Sequence, residues 1–233
     1  MTLHAVAYVD GFNLYYGALR GTSYRWLDLA ALCRRLLPTS LKDSTGTPKP
    51  VLLCGIKYFT APIKSQSPND HGPAHQAAYL AALREHLGNL LTIHEGFYLQ
   101  KKVYMTPVDT KKYGYSIEVY KSEEKGSDVN LAVCLVADAF LGKYDVALVV
   151  SNDSDLGMAI ELVQQSTKRA VGVLLPNRWL RPEEMKRGMR PRPGSKVLMQ
   201  KASFVIQYIR PNILAGCQLP IQLPSGLRKP TNW

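Results

Sequence analysis

The stretch from Tyr144 to Gln164 constrains the fold of this chain more than any other. It opens with Tyr144 to Val150, a valine-rich run in which Asp145 is the only charged residue. Such a short run without alternation is typical of a strand buried on both faces of a parallel sheet. Five small polar residues, Ser151 to Asp155, follow, and apolar residues then recur at helical spacing from Leu156 to Val163. This order predicts half of a βαβ unit, and ligands bind beside such turns in open α/β sheets.

Other parts of the chain repeat this pattern. Ala5 to Val9 is a second short apolar run, followed directly by Asp10-Gly11-Phe12-Asn13. Further strands are predicted at 51–60 and 170–175, and helices at 27–37, 74–87 and 129–141. Strands that alternate with helices predict an α/β fold with a mostly parallel central sheet.

Residues 90–122 depart from this alternation. Strands are predicted at 90–99, 101–105 and 115–120, and the last two are expected to form a β-hairpin insertion at about 99–122. The tyrosines and lysines concentrated here are Tyr98, Tyr104, Tyr113, Tyr115, Tyr120, Lys101, Lys102, Lys111, Lys112 and Lys121. Aromatic rings can stack on unpaired bases while lysines follow the phosphates. The alternative, a tyrosine-rich hairpin packed on the core, stays open.

Composition bounds the class of protein. The 233 residues fit one enlarged domain, expected at 1–210, with a C-terminal tail at 211–233. No apolar stretch approaches the ~18 residues of a membrane helix, and the start of the chain lacks a secretion signal. Cys33, Cys54, Cys134 and Cys217 stand apart in apolar contexts. We therefore expect a cytoplasmic protein with buried, reduced thiols, no membrane association and no zinc site.

The net charge of +11 is concentrated in one segment. Ten basic residues, among them Arg178 and Arg181, lie between Lys168 and Lys201, opposed only by Glu183 and Glu184. A basic segment is expected where a polyanion binds, but for a charge run alone a solvated surface is the favoured interpretation. A position beside an acidic cleft would favour polyanion binding.

Aspartates stand at three separate points of the predicted sheet edge. Asp10 follows the first strand, Asp128 lies in the first turn of a helix, and Asp153 and Asp155 follow the strand at 144–150. Strand carboxyl ends and helix N-termini share one edge of a parallel sheet, so these side chains can converge. Clustered carboxylates raise one another's pKa, and a divalent cation such as Mg²⁺ or Mn²⁺ offsets that repulsion. Helix capping is the alternative for each aspartate alone, but capping does not require aspartate at all three places.

Neighbouring polar groups are candidates for binding phosphate or water. They are Asn13, Lys125, Ser151 and Asn152. His71 and His75 are less promising as a metal pair, because Gly72-Pro73 between them makes a regular helix doubtful. We expect both histidines to be surface or loop residues.

Three blocks of this sequence resemble the signature blocks of the NYN domain, which belongs to the PIN-like ribonuclease superfamily. They are Tyr8 to Asn13, Lys125 to Val129 and Ser151 to Asp155, and the resemblance covers roughly residues 5–175. It implies a Rossmann-like three-layer α/β/α sandwich and metal-dependent cleavage of RNA. Asn152 departs from the pattern, since many relatives carry glycine there, and the insertion resembles nothing assignable.

The resemblance also implies roles for individual residues. Asp10, Asp128, Asp153 and Asp155 would be catalytic, and the first three of these would hold Mg²⁺ or Mn²⁺. The substrate would be bound by Asn13, Lys125, Ser151, Asn152, Arg178 and Arg181.

The sequence thus predicts a metal-dependent endoribonuclease with RNA as partner. The alternatives are an RNA-binding regulatory module without turnover, a deoxyribonuclease, and a small-molecule enzyme, since proteins of this general shape have also been labelled hydroxylases of pyridine rings. No Gly-x-Gly-x-x-Gly follows a predicted strand, so a dinucleotide site has no motif support. A homodimer is left open.

Overall fold

The structure is a computed structural model that describes residues 2–43, 45–65, 70–180, 182–231 and 233. Its strands are β1 Leu3–Asp10, β2 Ser40–Lys42, β3 Pro48–Thr60, β4 Leu91–Glu95, β5 Phe97–Met105, β6 Ile117–Lys125, β7 Val146–Val150, β8 Ala170–Leu174 and β9 Phe204–Ile206. Its α-helices are α1 Gly11–Leu14, α2 Leu29–Leu36, α3 Gly72–Leu87, α4 Thr110–Tyr113, α5 Ser127–Phe140, α6 Gly157–Thr167, α7 Pro182–Lys186, α8 Lys196–Lys201 and α9 Pro211–Gly216. A π-helical turn spans Tyr15–Leu19, and 3₁₀ turns span Gly88–Leu90 and Ser154–Leu156.

The central sheet has the order β2-β3-β1-β7-β8-β9, and β4 pairs with the carboxyl end of β3. Every pairing is parallel except that of the short β2 with β3, which confirms the predicted mostly parallel sheet. The register aligns Val9 of β1 with Val150 of β7. Asp10 and Ser151 therefore leave the sheet side by side.

Two hydrophobic clusters cover opposite faces of the sheet, which confirms the three-layer α/β/α sandwich. Along β1, Ala7 and Val9 belong to one cluster while Val6 and Tyr8 belong to the other, as the alternation of a strand requires. The first cluster contains apolar residues of α2, α3 and α9, and the second those of α5 and α6. No helix in the described part of the chain is both long and apolar enough to cross a bilayer.

The predicted hairpin is present but larger than expected. β5 and β6 form a two-stranded antiparallel sheet of their own, from Phe97↔Lys125 to Met105↔Ile117. The single strand predicted at 90–99 is wrong, because the chain leaves the central sheet at Gly96. A Cβ there would lie 2.5 Å from the carbonyl oxygen of Lys125, so only glycine allows this close crossing.

The tyrosines of the hairpin mostly face solvent. Tyr104, Tyr113, Tyr115 and Tyr120 are all exposed, so packing on the core is wrong for these four. Tyr98 is the exception, since its ring meets Phe12 edge-on at 5.9 Å. The hairpin thus touches the main domain at its root.

The first turn of α3 corrects the expectation for His75, whereas His71 is an exposed loop residue as predicted. His71 is the residue before the helix, and Pro73 stands in the first turn, where its missing N–H costs nothing. His75 is therefore helical, and its ring stacks on that of His71 with centroids 6.1 Å apart.

Two further expectations meet the structure differently. Residues 211–233, expected as a tail, place Leu214, Cys217, Leu219 and Leu223 in the core. All four cysteines are free, but Cys54 is exposed rather than buried. The reason is a register shift in which Leu53 pairs with Ala5 and Gly55 with Val6, leaving Cys54 in a bulge.

Candidate functional site

Asp10 lies at the carboxyl end of β1 and is only 2% exposed. Its Oδ1 accepts a hydrogen bond from the backbone N–H of Asn13 at 2.9 Å, and thereby caps α1. Its Oδ2 accepts from the side-chain amide of Asn13 at 2.6 Å and from the hydroxyl of Ser151 at 2.9 Å. Burial raises the pKa of Asp10, while these hydrogen bonds act in the opposite direction.

Ser151 connects the first aspartate to the second strand. Its fully buried hydroxyl donates to Asp10 and accepts from the backbone N–H of Asp153 at 3.1 Å. Asp153 in turn accepts from the backbone N–H of Asp155 at 3.0 Å, which starts the 3₁₀ turn before α6. The ends of β1 and β7 thus form one hydrogen-bonded unit.

Asp128 stands in the first turn of α5, as predicted. Although part of its side chain faces solvent, its pKa is raised to about 6, and the largest cause is the withdrawal of the carboxyl from water. The charges of Asp10, Asp153, Glu124 and Asp155 contribute the rest of this rise, in that order. All four predicted aspartates therefore lie within one electrostatic neighbourhood.

Glu124 of β6 is a fifth carboxylate, which sequence reasoning missed. Its Oε1 accepts from the hydroxyl of Ser127 at 2.8 Å and from the backbone N–H of the same residue at 3.1 Å. Glu124 belongs to the hairpin strand that runs into α5, beyond the strand end predicted at residue 120. The residues from Lys121 to Lys125 are all polar, so no alternation extends the predicted strand to it.

The donor set of this cluster is made of oxygens, which suits Mg²⁺ or Mn²⁺. Within the residues that the structure describes, however, no three His, Cys, Asp or Glu side chains are arranged to hold a metal ion. The carboxylates are close enough to affect one another's pKa, but they do not form a closed set of metal ligands.

The predicted basic substrate-binding residues are placed differently from one another. Arg178 pairs with Glu184 at 2.7 Å, and Lys125 pairs with Glu123 at 3.1 Å. Arg181 lies outside the described residues. Arg192, which sequence reasoning missed, donates to the Oδ1 of Asn13 at 3.2 Å. Nothing in the spacing of the arginine-rich segment distinguishes it from its neighbours.

Asn152 connects the basic segment to the acidic edge. Its side-chain amide donates to the carbonyl of Pro193 at 2.9 Å and accepts from the backbone N–H of Ser195 at 2.7 Å. The basic segment therefore flanks the carboxylates, which is the arrangement that favours polyanion binding over a merely solvated surface.

An aromatic cleft of about 390 Å³ opens on the other side of Asp10. Its lining comes from α1, the π-helical turn, the end of β3, α3 and Trp233, elements too far apart in sequence to be recognised together. Gly11, which directly follows Asp10, is part of this lining and packs closely on Tyr58, because a Cβ at this position would lie 2.6 Å from the hydroxyl of Tyr58.

Comparison with known proteins identifies the family of this chain. The family model of the NYN domain matches residues 6–188. The chain belongs to the NYN domain family. This NYN protein is 35% identical over 236 residues to 6-hydroxy-3-succinoylpyridine 3-monooxygenase HspA from Pseudomonas putida, covering 96% of this chain and 72% of that protein. A solved structure of a protein of unknown function from Vibrio parahaemolyticus is 16% identical, covers 88% of this chain and 92% of its own, and gives a TM-score of 0.48.

Proposed function

We propose that this NYN protein is a metal-dependent endoribonuclease that hydrolyses RNA phosphodiester bonds at Asp10, Asp128, Asp153 and Asp155. The observation that carries the proposal is the convergence of acidic groups from three distant segments, close enough for the charges of the others to raise the pKa of Asp128. Membership of the NYN family supports it, since that domain belongs to a PIN-like nuclease superfamily.

Asp10, Asp128 and Asp153 would hold the Mg²⁺ or Mn²⁺ ion. Mg²⁺ is usually bound through one or two carboxylates, with waters and substrate phosphates completing its shell, so a closed protein cage is not required. When bound, the ion would neutralise charge on the phosphodiester and lower the pKa of an attacking water. Asp155 would position water, and the bonds of Asn13 and Ser151 to Asp10 would keep that carboxylate aimed at the site.

The RNA backbone would run between the basic segment and the hairpin. Arg192 reaches Asn13 beside Asp10, and Asn152 keeps the segment at the edge of the sheet. Lys125 and Arg178 belong to the same proposed surface, and Arg181 is proposed to bind substrate from its place in the sequence alone. For Lys125 and Arg178, phosphate would compete with the glutamates that now pair with them.

Cleavage of labelled single-stranded RNA with and without Mn²⁺ tests the proposal. We expect metal-dependent cleavage by the unaltered protein and a loss of at least about 100-fold in Asp153→Asn, since this change removes a charged group at the reacting centre. Asp43→Asn is the matched control, because Asp43 lies in the turn between β2 and β3 and should leave cleavage unchanged. Equal cleavage by Asp153→Asn and the unaltered protein would refute the role of the cluster, and salt-sensitive binding without any cleavage would favour a regulatory RNA-binding module.

A second candidate is hydroxylation of a pyridine ring. It is favoured by the 35% identity to a protein named as a hydroxypyridine monooxygenase and by an aromatic cleft large enough for one ring. Oxygen uptake and NADH oxidation on addition of 6-hydroxy-3-succinoylpyridine would support it, particularly if RNA were not cleaved under any condition.

A further inference from the structure

The aromatic cleft beside Asp10 has the features of a site for a flat ring. Its walls include Phe12, Tyr15, Tyr16, His75 and Trp233. Its volume of about 390 Å³ falls in the range of small-ligand pockets, roughly 300–1,000 Å³. Aromatic walls favour a planar, unsaturated occupant, which they hold by stacking.

The cleft borders the acidic cluster at Gly11, which directly follows Asp10 in the chain, and at Tyr58. The Tyr58 ring is 7% exposed, and its hydroxyl makes no hydrogen bond to another residue in the described part of the chain. That hydroxyl is close enough to Asp10 for the charge of the carboxylate to act on it. The cleft therefore offers a polar group on the side that faces the carboxylates.

A second polar side chain of the lining, Gln76, already has hydrogen-bond partners. The amide of Gln76 donates to Thr60 and to the carbonyl of Ala61, and accepts from the backbone N–H of Ile63. Gln76 therefore fixes the loop after β3, and Tyr58 is the better-placed group to meet the edge of a ring.

The mouth of the cleft carries positive charge and lies next to the hairpin. The guanidinium of Arg20 sits 5.4 Å from the centre of the Tyr16 ring, and Tyr16 is 56% exposed. Phe12 meets Tyr98 at the root of β5. A ring that enters here would have its attached phosphate near a cation and the rest of its strand near the lysine-rich hairpin.

We propose that this cleft binds the unpaired base of a nucleotide next to the phosphate that is cleaved, stacked against Tyr16 and beside the pair of stacked rings formed by His75 and Trp233. The proposal rests on the proposed nuclease function and adds to it a preference for single-stranded RNA. A paired base stays stacked in its duplex and cannot enter a cleft of this size, whereas a flipped base can.

Scanning with abasic nucleotides tests the proposal. Single abasic residues are placed at successive positions of a labelled single-stranded RNA, and kcat/KM is measured in Mn²⁺. We expect removal of one base, within two nucleotides of the cleaved bond, to lower kcat/KM by about 10-fold, the loss typical of one stacked base. Tyr16→Ala and His75→Ala should each cause a similar loss on intact RNA and little further loss on that abasic strand. Tyr16→Phe, which keeps the ring, should stay close to the unaltered protein.

Phe140→Ala is the matched control, because Phe140 is 60% exposed at the far end of α5 and should have no position-dependent effect. Cleavage that is equally fast at every abasic position would overturn the base site and leave the nuclease function standing.

A second measurement does not depend on turnover. Asp153→Asn protein is titrated with RNA that carries 2-aminopurine at the position found to be sensitive in the abasic scan. If no cleavage is found, 2-aminopurine is placed at each position in turn. Quenching that Tyr16→Ala abolishes would support the base site even if no cleavage were found, whereas absence of quenching would overturn it. Displacement of the fluorescent strand by a free heteroaromatic acid, without position dependence along the RNA, would also overturn it in favour of a small-molecule site.

Discussion

A carboxylate that is buried at the end of a strand must replace the water it loses, and Asp10 does so with three hydrogen bonds. One of them caps α1, so the capping role that sequence reasoning weighed against a functional role is real. The other two come from Asn13 and Ser151, side chains that a cap alone does not need. The two roles are therefore compatible, because Oδ1 serves the helix while Oδ2 is held in the cluster.

Asp128 opposes folding when it is charged. Its pKa is raised from 3.8 to about 6, so between these values the folded protein binds more protons than the unfolded chain. Stability contributed by this group is therefore present at low pH and is lost as pH rises through this window. We expect Asp128→Asn to raise the free energy of unfolding at pH 7 by about 1 kcal/mol, allowing for solvent screening and the favourable helix N-terminus.

Urea unfolding in metal-free buffer at pH 7 and near pH 4 measures this effect. The gain should be much smaller at the lower pH, where the carboxyl is protonated in the folded state and partly protonated in the unfolded chain. Asp43→Asn provides a contrast, because the hydroxyl of Thr45 holds the pKa of that carboxyl below its ordinary value. It should not stabilise the protein. A less stable Asp128→Asn at pH 7 would contradict the repulsion inferred for the cluster.

The residues of the site differ in how far the sequence could predict them. The aspartates were predictable because each follows a strand or begins a helix, and parallel pairing brings those points to one edge. Arg192 was not, since its contact with Asn13 spans 179 positions and the segment around it has no regular spacing. The contacts of the Asn152 amide with Pro193 and Ser195 were not predictable either, because they also join residues that are far apart in the sequence.

At the scale of elements, the hairpin shows why the ends of a strand are harder to predict than its presence. Alternation signalled strands on both sides of residues 109–114, and both strands are present. Their ends were missed because neither face of the hairpin is buried, so polar residues continue to Lys125 without breaking the strand. A two-stranded sheet of this kind is only marginally stable by itself.

The hairpin also contains an unfavourable pair that a polyanion would relieve. Lys101 and Lys121 lie directly opposite each other, and like charges in this position destabilise a hairpin, an effect that the ion pair of Lys121 with Glu123 reduces. We expect Lys101→Glu to make the hairpin more stable and at the same time to weaken RNA binding and lower the slope of log K against log salt by about 1 to 2.

Amide hydrogen exchange of residues 97–125 and RNA titrations at several salt concentrations measure the two effects. Lys143→Glu is the control for overall charge, because this exposed lysine precedes β7 at the opposite edge of the sheet. If the amides of the hairpin exchange more slowly while RNA binding is unchanged, the hairpin is not part of the RNA-binding surface.

At the scale of the whole molecule, residues 26 and 27 contact the last part of the chain. Trp26 donates its indole N–H to the carbonyl of Pro220 at 2.8 Å, and Leu27 forms a β-bridge with Gln218. The Trp26 ring also packs edge-on against the ring of Trp233, with centroids 5.5 Å apart. The parallel sheet was predictable from local patterns, but residues 211–233 show little periodicity, and their burial is determined by partners nearly 200 positions away.

Asn152 makes a corresponding connection between the sheet edge and the basic segment, and its removal tests whether the segment acts with the site. Asn152→Ala loses the bonds to Pro193 and Ser195 and should let the segment that carries Arg192 move away from Asn13. We expect faster trypsin cleavage within 186–192, a several-fold rise in KM for RNA and a smaller change in kcat, since the aspartates keep their own contacts. Gln165→Ala is the matched control, because its amide only meets Glu161 on the surface of α6. If KM is unchanged while trypsin cleavage accelerates, the basic segment does not bind the substrate, and the acidic edge recognises RNA without it.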